Sequence, residues 1–284
     1  MPNMSSRTKA IPLSGIREMM DLALTIPGVL RLEIGDPDFS TPKEITAAAS
    51  AWAASNRMGY PPNSGLPELR AAIAAKVERV NGIACTAANV NVTIGATGAL
   101  YLALLAAIEP GDEVLVPDPG WAGYPAMVAL AGGVFKPYPL RAENGFRLSC
   151  EDVAKLVGPR TRAIIVNSPS NPTGAVNEVP EIRRLVDHAD RVGCWIIADE
   201  CYDEVVFDGA GACVGTLAPL ERGPVLSAFS FSKTYAMTGW RVGYLVAPKD
   251  VATQVTRMQA ASVASATVIA QRAALAALDG PQDA

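Results

Sequence analysis

The chain has 284 residues, a formal net charge of -4 and a hydrophobic content of 50%. A chain of this length can bury a substantial core, as one large domain or as a domain with a smaller companion. The mild acidity, without any lysine- or arginine-rich run, argues against nucleic-acid partners and against an anionic membrane surface. One histidine and five cysteines without a CxxC pair argue against a zinc or other metal site and against a disulfide framework.

The N-terminal part of the chain, to about residue 45, is irregular and rich in proline. It contains no long apolar stretch, and later apolar runs are too short to span a bilayer, so we expect a cytoplasmic protein. Two helices are predicted next, in KEITAAASAWAAS and in LPELRAAIAAKVERVNG, which ends at Gly82. We therefore expect an N-terminal arm or small-domain segment over residues 1–45 and a large domain over residues 46–284.

From residue 90 onward, short apolar and β-branched runs alternate with helical patterns. The runs are VNVTI, EVLVP, RAIIVN, CWIIA, PVLSAF and WRVGYLV, with helices expected from about Gly98 to Ile108, from about Tyr124, and around Ile182 to Arg191. This alternation predicts an α/β fold with a mostly parallel sheet and helices on both faces. Ligands of such sheets bind beyond the carboxyl ends of the strands, so the residues after each run are the candidate site.

Two ionisable residues follow apolar runs. Lys233 comes after PVLSAFSFS, and a buried lysine is costly unless it is paired, modified or functional. An imine with an aldehyde cofactor would remove its ammonium and activate the lysine for proton transfer. Asp199 follows CWIIA and needs a cationic partner, which a protonated pyridine nitrogen would provide, with Tyr202 close to the same ring. The alternatives are a surface lysine and a helix N-cap aspartate beside a core tyrosine.

A phosphate site is predicted at the turn Gly95-Ala96-Thr97-Gly98, which joins a strand to a helix. Free backbone N–H groups and the helix dipole can hold an anion there, and Arg241 and Ser230 could add a guanidinium and a hydroxyl. Trp121 follows another strand and could stack on a planar ring. Packing alone would also account for the glycine turn and for the tryptophan.

Five motifs occur in the order of a known family. SFSKTYAMTGWRVGY is similar to the cofactor-lysine motif of class I/II pyridoxal-phosphate aminotransferases (fold type I, aspartate-aminotransferase-like). NSPSNPTG, ADECYDEV, GYPPNSGLPELR and GDPDFSTP resemble further motifs of this family. The resemblance covers nearly the whole chain and implies a large domain that binds pyridoxal 5′-phosphate.

The resemblance implies a role for each matching position. Lys233 becomes the Schiff-base lysine and general acid/base, and Asp199 the partner of the pyridine nitrogen. Tyr202 and Asn171 become the pair that hydrogen-bonds the phenolic oxygen of the ring. Ser230, Arg241 and the amides of Ala96 and Thr97, beside Gly95, form the implied phosphate-binding site. Trp121 stacks on the ring, and Gly35 and Asn171 bind the substrate. Tyr60 contacts the phosphate bound by a neighbouring subunit. That last role implies a homodimer with shared sites.

The family pattern continues beyond the last residues of this chain. The resemblance implies a further C-terminal half of the small domain, of about a hundred residues, with an arginine that clamps the substrate α-carboxylate. The chain ends at ALAALDGPQDA, so we expect an incomplete small domain without an equivalent arginine. Loss of that bidentate contact would harm substrate binding and orientation.

The implied function is transamination between an L-amino acid and a 2-oxo acid. A lyase or synthase of the same fold is an alternative, because the same cofactor site supports several reactions. A non-catalytic cofactor-binding module is another, favoured by the incomplete small domain. A nucleotide-binding oxidoreductase is disfavoured, because no GxGxxG follows a predicted strand.

Overall fold

The computed structural model describes residues 2–9, 11, 15–208 and 211–283. The strands are β1 (Val90–Thr93), β2 (Glu113–Asp118), β3 (Val134–Pro139), β4 (Thr161–Asn167), β5 (Trp195–Asp199), β6 (Val225–Ser230) and β7 (Gly243–Val246). The helices are α1 (Ser6–Lys9), α2 (Gly15–Leu24), α3 (Lys43–Ser55), α4 (Pro67–Asn81), α5 (Gly95–Ala107), α6 (Gly123–Leu130), α7 (Cys150–Ala154), α8 (Val179–Val192), α9 (Lys249–Ser262) and α10 (Val268–Asp279).

The strands form one sheet in the order β1-β7-β6-β5-β4-β2-β3. Only β7 runs against its neighbours among these strands, since it is antiparallel to both β1 and β6. The pairs from β6 across to β3 are all parallel. The predicted mostly parallel α/β sheet is therefore confirmed, and the carboxyl ends of β1, β2, β4, β5 and β6 lie at one edge.

The two faces of the sheet are covered by different helices. In β5, Ile197 belongs to a core with α5, α6 and α9, whereas Ile196 and Ala198 belong to a core with α7 and α8. A third cluster joins β1 and β7 to α3, α4 and α10. Successive side chains of a strand point to opposite faces, so the helices lie on both sides of the sheet, as the strand–helix alternation predicts.

Helix α4 shows how local sequence sets the element boundaries. Pro67 stands at its first turn, where a missing N–H costs nothing. Gly82 ends it in the left-handed region, at φ 71°, and its N–H reaches the carbonyls of Val77 and Glu78. Both ends coincide with the sequence-based prediction, as do the bounds of α3.

Strand β3 is absent from the sequence-based prediction. It lies at the edge of the sheet, is mostly exposed to solvent and contains Pro137 and Pro139. Prolines lack the N–H that a central strand needs, and an edge strand tolerates that loss. The hydrophobic pattern therefore carries little signal for this strand.

The segment before α3 lies mostly on the surface. Leu30 and Leu32 expose 89% and 91% of their surface. The predicted boundary between an N-terminal arm and a large domain at residue 45 stays a prediction, and residues 1, 10 and 12–14 of that arm lie outside the described residues. Within the described part of the chain, none of the helices combines the length and the apolar character needed to cross a bilayer.

Candidate active site

A cleft of about 630 Å³ opens at the edge of the sheet where the parallel strands end. It is lined by every predicted site residue except Gly95 and Tyr60. The predicted residues on its wall are Gly35, Ala96, Thr97, Trp121, Asn171, Asp199, Tyr202, Ser230, Lys233 and Arg241. Strand-end side chains that are far apart in the sequence therefore share one cavity.

Lys233 follows the end of β6 and presents its amine to this cleft. Its Nζ donates a hydrogen bond to the Gly35 carbonyl, at 2.5 Å, and lies 6.0 Å from the centroid of the Tyr202 ring. No carboxylate of the described residues lies within 4.0 Å of this amine. The lysine is thus held in the cleft by a neutral acceptor rather than by an ion pair.

Asp199 ends β5 and is only 5% exposed. Its Oδ2 accepts a hydrogen bond from the Tyr124 hydroxyl at 2.7 Å, and its Oδ1 accepts one from the Cys201 N–H at 3.2 Å. Desolvation raises the pKa of Asp199, and hydrogen bonds from Tyr124 and Cys201 partly counter that rise. Both donors are neutral, and no cationic side chain of the described residues forms an ion pair with this carboxylate, although a buried charge needs such a partner.

Tyr202 and Asn171 lie side by side above Asp199. Asn171 Nδ2 donates to the Tyr202 hydroxyl at 3.3 Å. Asn167, at the end of β4, accepts from the Asn171 N–H at 2.7 Å and donates through Nδ2 to the Asp199 carbonyl at 2.9 Å. Desolvation raises the pKa of Tyr202 to about 12, so its phenol stays protonated near neutral pH and can donate to an oxygen acceptor.

The opposite end of the cleft is electropositive. Helix α5 begins there, three residues earlier than the sequence pattern predicts, so Ala96 and Thr97 lie in its first turn. The first N–H groups of a helix have no partner within it and carry the positive end of its dipole. Ser230 and Arg241 line the same end, and the Arg241 Nη1 donates to the Thr238 carbonyl at 2.9 Å. This set can hold a phosphate group.

Two glycines allow this close packing. Gly95, at φ +66°, lies directly beneath Arg241, and a Cβ at this position would be 2.7 Å from the Arg241 Nη2. Gly243, in β7, lies against the start of α5, and a Cβ there would be 2.6 Å from the Ala96 nitrogen. Gly95 does not line the cleft, but its lack of a side chain leaves room for the Arg241 guanidinium.

Trp121 lines the cleft and contacts Tyr124 edge-on, with ring centroids 5.3 Å apart and an interplanar angle of 85°. Sequence reasoning did not select Tyr124, which is 1% exposed in α6. The available signal was its place three residues after Trp121, at the start of a predicted helix. Its contact with Asp199, 75 residues away, becomes apparent only in the folded chain.

Tyr60 does not line the cleft of its own chain and is 97% exposed. Its expected role involves a neighbouring subunit and stays a prediction. The individual roles of the other site residues stay predictions as well, although their positions are brought together.

Comparison with known proteins identifies the family. Residues 27–284 match the family model described as aminotransferase class I and II. The chain belongs to the class I and II aminotransferase family. The resemblance seen in its motifs is thereby confirmed, and the family is one whose members depend on pyridoxal phosphate.

Two relatives and one solved structure illustrate the similarity of this aminotransferase-family chain. It is 38% identical to the probable aspartate/prephenate aminotransferase of Aquifex aeolicus, over 89% of the chain and 65% of the relative. It is 41% identical to the aspartate/prephenate aminotransferase of Cereibacter sphaeroides, over 93% of the chain and 66% of the relative. The aspartate aminotransferase of Thermus thermophilus with maleate superposes with a TM-score of 0.93 at 36% identity, over 98% of this chain and 73% of that one. The chain thus spans about two thirds to three quarters of the length of these relatives.

Proposed function

We propose that this chain carries the cofactor site of a pyridoxal-phosphate-dependent aminotransferase, which moves an amino group between an L-amino acid and a 2-oxo acid. One observation carries the proposal. Among the described residues, the Lys233 amine has no ion-pair partner and the buried Asp199 carboxylate has only neutral donors, and both groups face the same cleft. A cofactor with an aldehyde and a protonated ring nitrogen satisfies both groups.

The donor set of the cleft fits pyridoxal phosphate at each of its polar positions. Lys233 would bind its aldehyde carbon, and Asp199 would accept from its ring N–H. Tyr202 and Asn171 would hydrogen-bond the phenolic oxygen. Trp121 would stack on the ring face. The phosphate would be bound by Ala96, Thr97, Ser230 and Arg241.

When bound, this cofactor supplies an electron-withdrawing ring that stabilises negative charge at the substrate α-carbon. The chain's own residues do the rest. Lys233 Nζ can hold and move the proton that leaves the α-carbon, as a general base and then as a general acid. Asp199 stays ionised beside a cation, since an opposite charge offsets the desolvation that raises its pKa. Trp121 would cover one face of the ring and exclude water from it.

The substrate and the assembly form the finer part of the proposal. The relatives from Aquifex aeolicus and Cereibacter sphaeroides carry aspartate and prephenate in their names, so aspartate is the first donor and prephenate the first acceptor to test. Gly35 and Asn171, which both line the cleft, are the proposed substrate-binding residues. We place the large domain at residues 46–284 of a cytoplasmic homodimer, in which Tyr60 reaches the phosphate bound by the neighbouring subunit.

Reductive trapping tests the cofactor site directly. Purified chain is incubated with pyridoxal phosphate and borohydride, and the modified peptide is identified by mass spectrometry. We expect one covalent adduct on Lys233, absent from Lys233→Ala and retained in Lys249→Ala, a surface lysine at the start of α9. Labelling spread over surface lysines, or none at all, would refute the proposal.

A single-turnover assay then separates the reaction classes. The trapping-competent chain is mixed with aspartate and a panel of other L-amino acids, and the products are quantified. Pyridoxamine phosphate with a 2-oxo acid is the expected result. Ammonia and pyruvate would instead identify a lyase, and an adduct without turnover would identify a cofactor-binding module.

A further inference from the structure

Tyr124, in α6, contacts two of the predicted site residues directly. Its hydroxyl donates to Asp199 Oδ2 at 2.7 Å, and its ring meets Trp121 at a centroid distance of 5.3 Å. The tyrosine itself is only 1% exposed, so solvent cannot replace either contact. It therefore joins the residue expected beneath the ring nitrogen to the residue expected on the ring face.

The hydrogen bond from Tyr124 restricts the Asp199 carboxylate. A carboxylate has about four lone-pair sites, and Tyr124 and the Cys201 N–H occupy one on each oxygen. The carboxylate plane is thereby set by two donors from different segments of the chain. Since the tyrosine bond is the shorter of the two, we expect it to contribute more to that orientation.

We propose that Tyr124 is a positioning residue of the cofactor site, orienting Asp199 through its hydroxyl and holding Trp121 through its ring. The inference rests on the proposed function and extends it to a residue outside the cleft-lining set. It makes two separable statements, because the hydroxyl and the ring contact different partners. Phenylalanine at this position removes the first contact and keeps the second, whereas leucine removes both.

Tyr138, which belongs to a different hydrophobic cluster from Tyr124, provides a matched control. It is also 1% exposed, and its hydroxyl also donates to a buried acceptor, the Ile165 carbonyl, at 2.9 Å. Tyr138 lies in β3 and does not line the cleft. Tyr138→Phe therefore loses one buried hydrogen bond, as Tyr124→Phe does, without touching a predicted site residue.

Cofactor affinity is the first measurement. The dissociation constant of pyridoxal phosphate is determined by fluorescence titration for the parent chain and for Tyr124→Phe, Tyr124→Leu and Tyr138→Phe. We expect Tyr124→Phe to weaken binding about 10-fold, from the loss of a hydrogen bond to a charged group. Tyr124→Leu should weaken it further, and Tyr138→Phe should stay within about 2-fold of the parent.

The pH dependence of binding gives a readout that lost stability alone would not change. The titratable or charged groups around Asp199 are Tyr124 from α6, Glu200, Cys201 and Tyr202 from its own turn, and Lys233 and Arg241 across the cleft. The Tyr124 hydrogen bond lowers the pKa of Asp199, and binding needs the ionised carboxylate. On acidification, affinity should therefore be lost at a higher pH in Tyr124→Phe than in the parent and in Tyr138→Phe.

The outcomes separate this inference from the proposed function. If the parent fails to bind pyridoxal phosphate, both are overturned. If the parent binds while Tyr124→Phe keeps its affinity and its pH profile, the role of Tyr124 is overturned and the proposed function stands. An equal loss of affinity for pyridoxal phosphate in Tyr124→Phe and Tyr138→Phe would likewise contradict a positioning role, because it would show that Tyr124 contributes only to core packing.

Discussion

Two buried aspartate side chains lie four residues apart, Asp199 at the end of β5 and Asp203 in the turn that follows, but their hydrogen-bond and ion-pair partners differ. Asp203 is held by Lys76 Nζ at 2.6 Å and by Asn81 Nδ2 at 2.8 Å, and the side chains of Asp203 and Lys76 are 5% and 6% exposed. Lys76 also pairs with Glu204 at 3.0 Å. Asp199 is 5% exposed, and its hydrogen-bond donors within the described part of the chain, Tyr124 and Cys201, are both neutral.

The difference distinguishes Asp203, a structural carboxylate, from Asp199, the carboxylate that we propose to be functional. The buried ion pair between Lys76 and Asp203 connects α4 to the turn after β5. Such a pair has a structural role, because each charge has a partner of opposite sign. A buried carboxylate without a cation is held at a cost in free energy, and such groups concentrate at functional sites. Asp199 and Tyr202 thus line the cleft, whereas Asp203 attaches the same segment to α4 through Lys76.

The largest expected effect comes from breaking the structural pair. Lys76→Met removes the ammonium and leaves Asp203 buried without its cation, so the free energy of unfolding should fall by about 3–5 kcal/mol. Urea unfolding followed by circular dichroism measures this. The double variant Lys76→Met, Asp203→Leu should recover much of the loss, and a single variant within about 1 kcal/mol of the parent would contradict the assigned role.

Neutralising Asp199, the aspartate that we propose to be functional, should lower activity without lowering stability. Asp199→Asn removes the charge that the proposed cofactor needs, so the single-turnover rate should fall by about 10²–10³-fold. The stability of the cofactor-free protein should stay equal or rise, since the desolvation of a carboxylate is relieved. Rapid-mixing kinetics and urea unfolding report the two quantities. A stability loss comparable with that of Lys76→Met would show that Asp199 is structural instead.

Glu200, which lies between the two aspartates in the sequence, should make the free energy of unfolding depend on pH. It is 1% exposed and accepts from the Val214 N–H at 2.8 Å, and desolvation raises its pKa above its ordinary value of 4.5 to about 8. Its contribution to stability is complete below pH 4.5 and is lost as the pH rises through about 8. We expect the unfolding free energy of the cofactor-free protein to decline over this window, by at most about 1.4 kcal/mol per pH unit from this group.

Glu200→Gln tests the origin of that decline. The glutamine keeps an oxygen for the Val214 N–H but cannot ionise, so the slope should become shallower. A residual slope is expected from Asp199, whose pKa is raised in the same direction. Urea midpoints at pH 5, 6.5 and 8 provide the comparison, and identical slopes in the parent and the variant would rule out Glu200 as the source.

The smallest effect is expected where an ion pair is exposed. Lys155 and Glu151 lie 2.6 Å apart in and just after α7, with side chains 63% and 70% exposed. Water screens such a pair and ordering the side chains offsets its attraction, so Lys155→Ala should leave the unfolding free energy without a measurable change. A clear destabilisation would mean that burial is not what distinguishes the Lys76 pair.

Much of the candidate site could be predicted from the printed residues. Lys233 and Asp199 were identifiable because each is an ionisable residue at or shortly after the end of an apolar strand, and parallel strands end at a common edge. The phosphate end followed from small residues between a strand and a helix, although α5 begins at Gly95 rather than near Gly98. Strand β3 was missed, because an exposed edge strand with two prolines has no hydrophobic signature.

Composition and local pattern sufficed for the α/β class, the ends of α3 and α4, and the strand-end residues that meet at the cleft, whereas Gly35 was named only through the family resemblance. Hydrophobic periodicity and turn residues act over a few positions, so they are readable without the fold. The partners of the buried carboxylates depend on strand order and helix placement instead. Lys76 lies 127 residues from Asp203 and Tyr124 lies 75 from Asp199, and no short-range rule connects residues at such separations.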